Sequence, residues 1–497
     1  MRGVPGAVSA RIPSMVAAAV LAAATPAVAQ KLVPAVGSLV AHDVNDVFLR
    51  VSNRGGFGLA VQEFDVGNFP RGTTNRYLFG AGLWVGGIGD VDADGQPDTV
   101  TTIGFNPSNV AVMEWVEGGL GFDRDDPRFR VLDSSNPADV ALFPGEPVAP
   151  QELFAIYSDR VSVFTSGAAP SIPLGVEVRQ RSFAFTEEGL DTTIFFQWDM
   201  RNISDRIRAT GYPIVAPWTG IVLDPDIGEV SDDVAAPLEV DGAIVLVIWD
   251  VDFATPLFVG RPGFLAIVPM VEPATPVTVS QLSSPLLAGV QQVPQTDAGQ
   301  YRALAGIPPN APTTGAIGFD LRALVGWAGP ADLPAGALHR TAAAFVWAEA
   351  DLEAVEGEGA LNQDEPALQP LVTAIRAARE AYAERLADLP ALLEFPGEPL
   401  PPEPAEVNQV RQNYPNPFRD STTIEYALTA PAAVRLEVLD LAGARVARLV
   451  EGPVAPGAHT AFWNGRSDAG REMPPGVYVI RLTTGGNESV VRALKLP

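Results

Sequence analysis

The sequence has no cysteine. Disulfide frameworks, thiolate nucleophiles, zinc fingers and iron–sulfur clusters are therefore excluded. Histidine is scarce, with only His42, His339 and His459. A Ser-His-Asp triad would have to use His42 or His339, and no motif supports either. There is no H-E-x-x-H, no G-x-S-x-G, no P-loop and no G-x-G-x-x-G. Beyond the first 30 residues no apolar run reaches about 18 residues, the length needed to cross hydrocarbon as a helix. Basic residues are also few, 33 Lys and Arg against 59 Asp and Glu, for a formal charge of −26. The deficit is uneven. From 406 to 497 ten basic residues face nine acidic ones, whereas the stretch between the leader and residue 405 carries 21 against 50. Such a body repels nucleic acid and anionic lipid. It is suited to a solvated surface and attracts divalent cations.

What is abundant points to β-structure. At 497 residues the chain is long enough for two to four domains with substantial cores, and 47% hydrophobic residues is ordinary for a globular protein. The 47 glycines and 46 prolines lie between short apolar runs, as in an all-β protein with many turns.

Arg2 and Arg11 precede an alanine-rich apolar run over 15–25, and Ala27-Val28-Ala29 supplies an A-x-A site. This is the pattern of a secretory signal peptide over 1–29, cleaved before Gln30. An acidic β-rich body is expected over 30–390, as one unit or two subdomains. Within it, 176–181 largely alternates apolar and polar residues. Ile194, Phe196, Trp198 and Met200 share one face opposite Gln197, Asp199 and Arg201, and Glu187-Glu188-Gly189 lies between, so the two strands read as a hairpin with one wetted face. Further strands are expected over 77–85, 99–105, 152–157, 243–251, 263–269 and 340–347. The economical arrangement is an antiparallel β-sandwich. One segment breaks the period. Leu371, Ile375, Ala378, Tyr382, Leu386 and Leu389 recur at helical spacing between Pro370 and Pro390, which predicts a single amphipathic helix packed on a sheet. Six prolines between 390 and 404 then favour an extended linker over 391–407.

The remaining 90 residues, 408–497, carry an ordered series of short motifs. They begin with Asn413-Tyr414-Pro415-Asn416-Pro417-Phe418 and continue with Val434, Leu436 and Val438 on one strand, then Asp440 and Gly443. Trp463-Asn464-Gly465 and Asp468-Ala-Gly470 follow, with Tyr478, Ile480 and Leu482 on another strand and Lys495 near the end. This series resembles the type A C-terminal sorting domain of the type IX secretion system and the related FlgD/Vpr immunoglobulin-like domain. The resemblance implies a C-terminal Ig-like β-sandwich, partnership with secretion machinery, and a secreted, extracellular or outer-membrane-surface location, with surface polysaccharide as a further partner. Residues 77–87, 173–181 and 224–228 resemble uncharacterised secreted proteins of the Bacteroidota and Rhodothermota, a likeness that implies no activity.

The sharpest chemical motif is Asp90-Val-Asp92-Ala-Asp94-Gly95-Gln96-Pro-Asp98. Carboxylates at alternate positions let a short loop wrap a hard cation, and a glycine at the sixth position permits the sharp turn. The loop reads as a structural Ca²⁺ site with Asp90, Asp92, Asp94, Gln96 and Asp98 as ligands. Position 12 is Thr101 instead of the bidentate glutamate, and an acidic hairpin turn is the plain alternative. A second acidic run, Asp224 to Asp233, is less regular, and Asp250 and Asp252 flank a strand end nearby. Three functions remain in view. The first is a secreted or surface structural or adhesive β-protein without catalysis. The second is a carbohydrate- or ligand-binding module using tryptophans such as Trp84, Trp115, Trp218 and Trp249. The third is a glycoside hydrolase built on a carboxylate pair, which needs only two acids at the right separation.

Overall fold

The computed structural model describes residues 38–496, apart from 60–66, 93, 109–112, 119–129, 161, 165–172, 208–210, 229–232, 251–257, 261, 273, 284–292, 308–320, 350–360, 392–407, 412, 414–415, 420, 430–431 and 455–456. The expected leader, nearly all of the linker, and Asp252 lie outside the described residues. Strands occupy 51% of the chain and helices 10%, so the protein is mainly β.

Two large sheets face each other in the body. One has ten strands centred on Leu78–Gly89, Ile214–Pro225 and Leu321–Ala328. The other has nine, centred on Gln151–Ser158, Val176–Ala184, Thr193–Asn202, Leu338–Ala348 and Phe264–Pro269. Every pairing within these two sheets is antiparallel among the described residues. Alternate side chains from both meet in one core that includes Leu49, Phe57, Leu83, Ile221, Val325 and Trp327 from the first sheet. Tyr157, Val178, Phe196, Trp198, Ile267 and Phe345 come from the second. Phe196 stacks on Trp198 with ring centroids 5.7 Å apart, and Phe57 lies 4.6 Å from Phe196. Aromatic contacts of this kind add to plain area burial.

The six separately expected strands and the 176–202 hairpin all form. One expectation fails: the hairpin has no wetted face, and both faces of Val176–Ala184 are buried. The predicted helix, Gln369–Ala381 with its extensions from Pro366 to Leu386, covers part of the outward face. Its Leu371, Val372, Ile375 and Ala378 pack on Phe183, Phe195, Ala344 and Val346. Several charged residues on that face are ion-paired. Arg181 pairs with Glu152 at 2.5 Å, Arg179 with Glu177 at 3.1 Å, and Arg340 with Asp199 at 2.6 Å. Gln197 Nε2 donates to the Leu386 carbonyl at 3.0 Å. Period-two patterning was correct; the assumption that polar means solvent-facing was not.

A second, short helix, Asp297–Leu304, covers the far side of the ten-stranded sheet and was not anticipated. Thr296 caps it by accepting from Gly299 N–H. It sits on bare backbone. A Cβ on Gly220 would come within 2.5 Å of Leu304 Cδ2, and one on Gly326 within 2.4 Å of the Leu304 carbonyl oxygen. Glycines in facing strands therefore serve close approach here. The body is thus four layers, helix–sheet–sheet–helix.

Residues 409–495 form two further sheets around their own core. Ile424, Tyr426, Leu436, Val438, Trp463, Tyr478, Ile480 and Leu482 close it, with Phe418 and Tyr478 edge-on to Trp463 at 5.3 and 5.0 Å. One sheet runs Arg445–Val454, Ala432–Leu439, Gly476–Thr484, Asn487–Lys495. The other contains Gln409–Val410, Thr422–Leu428 and Gly457–Trp463, and its fourth strand is Ser162–Phe164 of the body.

Candidate metal centre

The loop 90–97 connects strands Leu78–Gly89 and Asp98–Ile103, whose last pair is Gly89 with Asp98. Val91 is fully buried in the main core and anchors the loop's root. Its N–H donates to Asp98 Oδ2 at 3.2 Å. The turn beyond is held by its own aspartates. Asp92 Oδ1 accepts from Asp94 N–H at 3.1 Å, and Asp94 Oδ1 from Gln96 N–H at 2.7 Å. Asp90 Oδ2 accepts from Gly95 N–H at 3.2 Å. Gly95 has φ of +82°, a conformation that side chains resist.

Carboxylate oxygens from Asp90, Asp92 and Asp98 lie within 4.8 Å of one another. Asp90 Oδ1 is shielded from solvent and accepts no hydrogen bond. Burial first, then the like charge of Asp92 and more weakly of Asp94 and Asp90, raises the Asp98 carboxyl above its ordinary range, partly offset by Val91 N–H. A hard divalent cation would relieve this crowding. Of the five residues expected as ligands, three carboxylates converge. Asp94 stands outside that group, and both Asp94 and Gln96 are exposed. Thr101, at position 12, turns elsewhere: its N–H and hydroxyl donate to Asp297 Oδ1 and the Asp297 carbonyl.

The second acidic run is arranged differently. Asp224 faces Arg322 at 2.5 Å and Asp226 faces Arg76 at 2.9 Å. Asp233 accepts from Ile227 N–H at 3.3 Å and lies directly opposite Asp250. Residues 229–232 lie outside the described residues.

The tryptophans form no exposed platform. Trp84, Trp115 and Trp249 are core and Trp218 is half-buried. Among the described residues every exposed large apolar side chain is aliphatic. This burial removes the aromatic observation behind the carbohydrate-binding reading.

One arrangement escaped sequence reasoning. His42 Nε2 lies 2.8 Å from Ser182 Oγ, and its Nδ1 3.3 Å from Gln151 Oε1. Gln151 Nε2 donates to the Ala41 carbonyl at 3.1 Å and Asp133 Oδ2 at 3.2 Å. Its oxygen therefore faces the ring, Nδ1 carries the proton, and Nε2 accepts from Ser182. His42 and Ser182 are both fully buried, so no substrate reaches this pair. It bolts the edge strand Leu39–His42 of one sheet to the other sheet. Partners 109 and 140 residues apart leave no local signal.

Among the described residues no helix is long and apolar enough to cross a membrane, which leaves β-barrels unaddressed. No curated protein matches the chain. Among solved structures, FlgD from P. aeruginosa is 27% identical over 15% of this chain and 59% of its own, with a TM-score of 0.14. Dimeric latent PorU from Porphyromonas gingivalis is 9% identical over 70% of this chain and 32% of its own, with a TM-score of 0.16. This chain thus spans less than two thirds of either protein. Residues 418–488, which fall within the two-sheet C-terminal module, match the FlgD Ig-like domain family.

Proposed function

We propose that this chain is a secreted or cell-surface structural or adhesive β-protein, exported through a type IX sorting tail at 408–497 and steadied by a Ca²⁺ ion in the 90–98 loop. The observation that carries the reading is the FlgD Ig-like match at 418–488, lying behind a leader pattern at 1–29 and an acidic body. An all-β module of this kind is a compact recognition surface, and a body with paired buried acids and, among the described residues, no exposed aromatic strip suits a scaffold. Export is tested by expressing the whole chain and a version ending at residue 407 in a host with a type IX system. The whole chain is expected at the cell surface or in the medium, and the shortened one in the periplasm. Equal surface delivery of both defeats the sorting role.

The calcium reading has its own test. A cation bound only by the native state stabilises it by about 2.7 kcal/mol at a hundred times Kd. Calcium is expected to raise the Tm of the purified protein, and Asp92→Asn with Asp98→Asn to abolish the rise. A Tm unmoved by calcium, or raised equally in the variant, leaves the loop as a plain acidic turn.

A further inference from the structure

The C-terminal module and the body share a sheet. Strand Ser162–Phe164 pairs in parallel with Gly457–Trp463, placing Ser162 against His459, Val163 against Thr460 and Phe164 against Ala461. The body presents this strand from a clamped stem. Asp159 is buried, and its N–H donates to the Val176 carbonyl at 3.1 Å. Its carboxylate accepts from Leu174 N–H, Val176 N–H and Thr102 Oγ1 at 2.7, 2.6 and 2.7 Å. Both ends of the excursion between 159 and 174 are thereby tied at one side chain.

Arg160 extends the clamp toward the module. Its Nη1 donates to the Glu117 and Gly118 carbonyls and to Ser158 Oγ at 3.2, 2.9 and 3.0 Å. Its Nη2 lies 4.0 Å from Glu425 Oε1 on the module's neighbouring strand. The module's outward face is covered at the same place. Ile424, Tyr426, Ala461 and Trp463 point into its core, so Ala427 and Thr460 point away, yet each is only 4% exposed.

We propose that the edge of Gly457–Trp463 is a parallel-strand acceptor surface and that Ser162–Phe164 of the same chain is its resident strand, strapping the module to the body. Main-chain hydrogen bonds supply the affinity of such strand addition, so any extended segment of another protein seeking this edge has to displace the strap. The inference is independent of the sorting and calcium readings, because it concerns a contact within the chain.

The absence of cysteine makes the test clean. A Val163→Cys, Thr460→Cys variant of the whole chain has a single possible intramolecular disulfide. Under mild oxidation it is expected to form within monomers, with the 163–460 linkage found by peptide mass mapping. In a Val163→Pro variant, amides of 457–463 are expected to exchange with deuterium at least tenfold faster, while those of Gly476–Thr484 keep their rates. A linkage that is absent or forms only between chains overturns the strap, and so does unchanged exchange at 457–463 in a folded variant. Should Val163→Pro also release the amides of 476–484, it has unfolded the module, and the disulfide result alone decides.

Discussion

Acidification is expected to cost this protein stability at His42, and His42→Gln should remove that share of the pH dependence. Burial is the larger influence on the ring and lowers its pKa from 6.5 to about 3, against a smaller opposing effect of the Gln151 contact. The unfolded chain takes up a proton near pH 6.5 that the native state refuses until about pH 3. Stability from this group is thus fully present above pH 6.5, falls as the pH drops through that window, and levels off below pH 3. Between pH 7 and pH 4 the loss is about 3 kcal/mol.

Carboxyls raised by desolvation work in the opposite direction, Asp159 and Asp297 among them. Desolvation raises Asp159 and Asp297 to about 6, so their native forms hold protons that the unfolded chain releases, and they favour the native state as pH falls from 6 toward 4. Comparison with the variant separates the effects, because both aspartates are common to the two proteins. At pH 7, His42→Gln should be the less stable by about 1–3 kcal/mol, from the lost contacts with Ser182 and Gln151. Denaturant titrations at pH 7, 5.5 and 4 should show that gap closing and then reversing. A gap that stays constant across the three would mean that His42 titrates alike in both states.

The second large effect is expected at Arg322. Its guanidinium lies 2.5 Å from Asp224, and both side chains are almost wholly enclosed. Removing one member of such a pair typically costs about 3–5 kcal/mol, whereas replacing both with apolar residues of similar volume is often close to neutral. Arg322→Met should therefore lower stability by about that amount, and Asp224→Leu combined with Arg322→Met should recover most of it. A double variant no more stable than Arg322→Met in urea titration would show that the pair's enclosure is unimportant. This result also bears on function. Asp224 heads the second acidic run, and its partnership with Arg322 is a structural duty that the run's composition alone did not suggest.

Much of the architecture was legible because it is written locally. The alternation at 176–181 and 194–201 required strands, the 371–389 stripe required a helix, and the ordered Gly, Asn-Pro and Trp motifs after residue 413 carried the resemblance that implied a small sandwich. Period determines element type wherever one face must be buried. The Asp90–Asp98 spacing likewise required a tight turn with gathered carboxylates, since each aspartate can accept from the backbone N–H two residues on.

What remained hidden depends on distant partners. Nothing near Arg181 or Gln197 says that their face is covered, because the cover includes a helix about 190 residues after Gln197 and the countercharge of Arg181, Glu152, lies on a neighbouring strand, whereas Arg179 pairs with Glu177 on its own strand. The glycines under Asp297–Leu304 look like turn formers until the helix is seen resting on them. The His42 contacts and the strap at Ser162–Phe164 join segments more than 100 residues apart. Sequence alone determined which stretches form strands, where the amphipathic helix lies, and which loop gathers acids, for these follow from periodicity and turn chemistry. Tertiary structure alone decided which polar residues are buried, which acids face arginines, and where body and module meet. Burial and ion pairing are properties of neighbours in space, and the chain brings those neighbours together only when it folds.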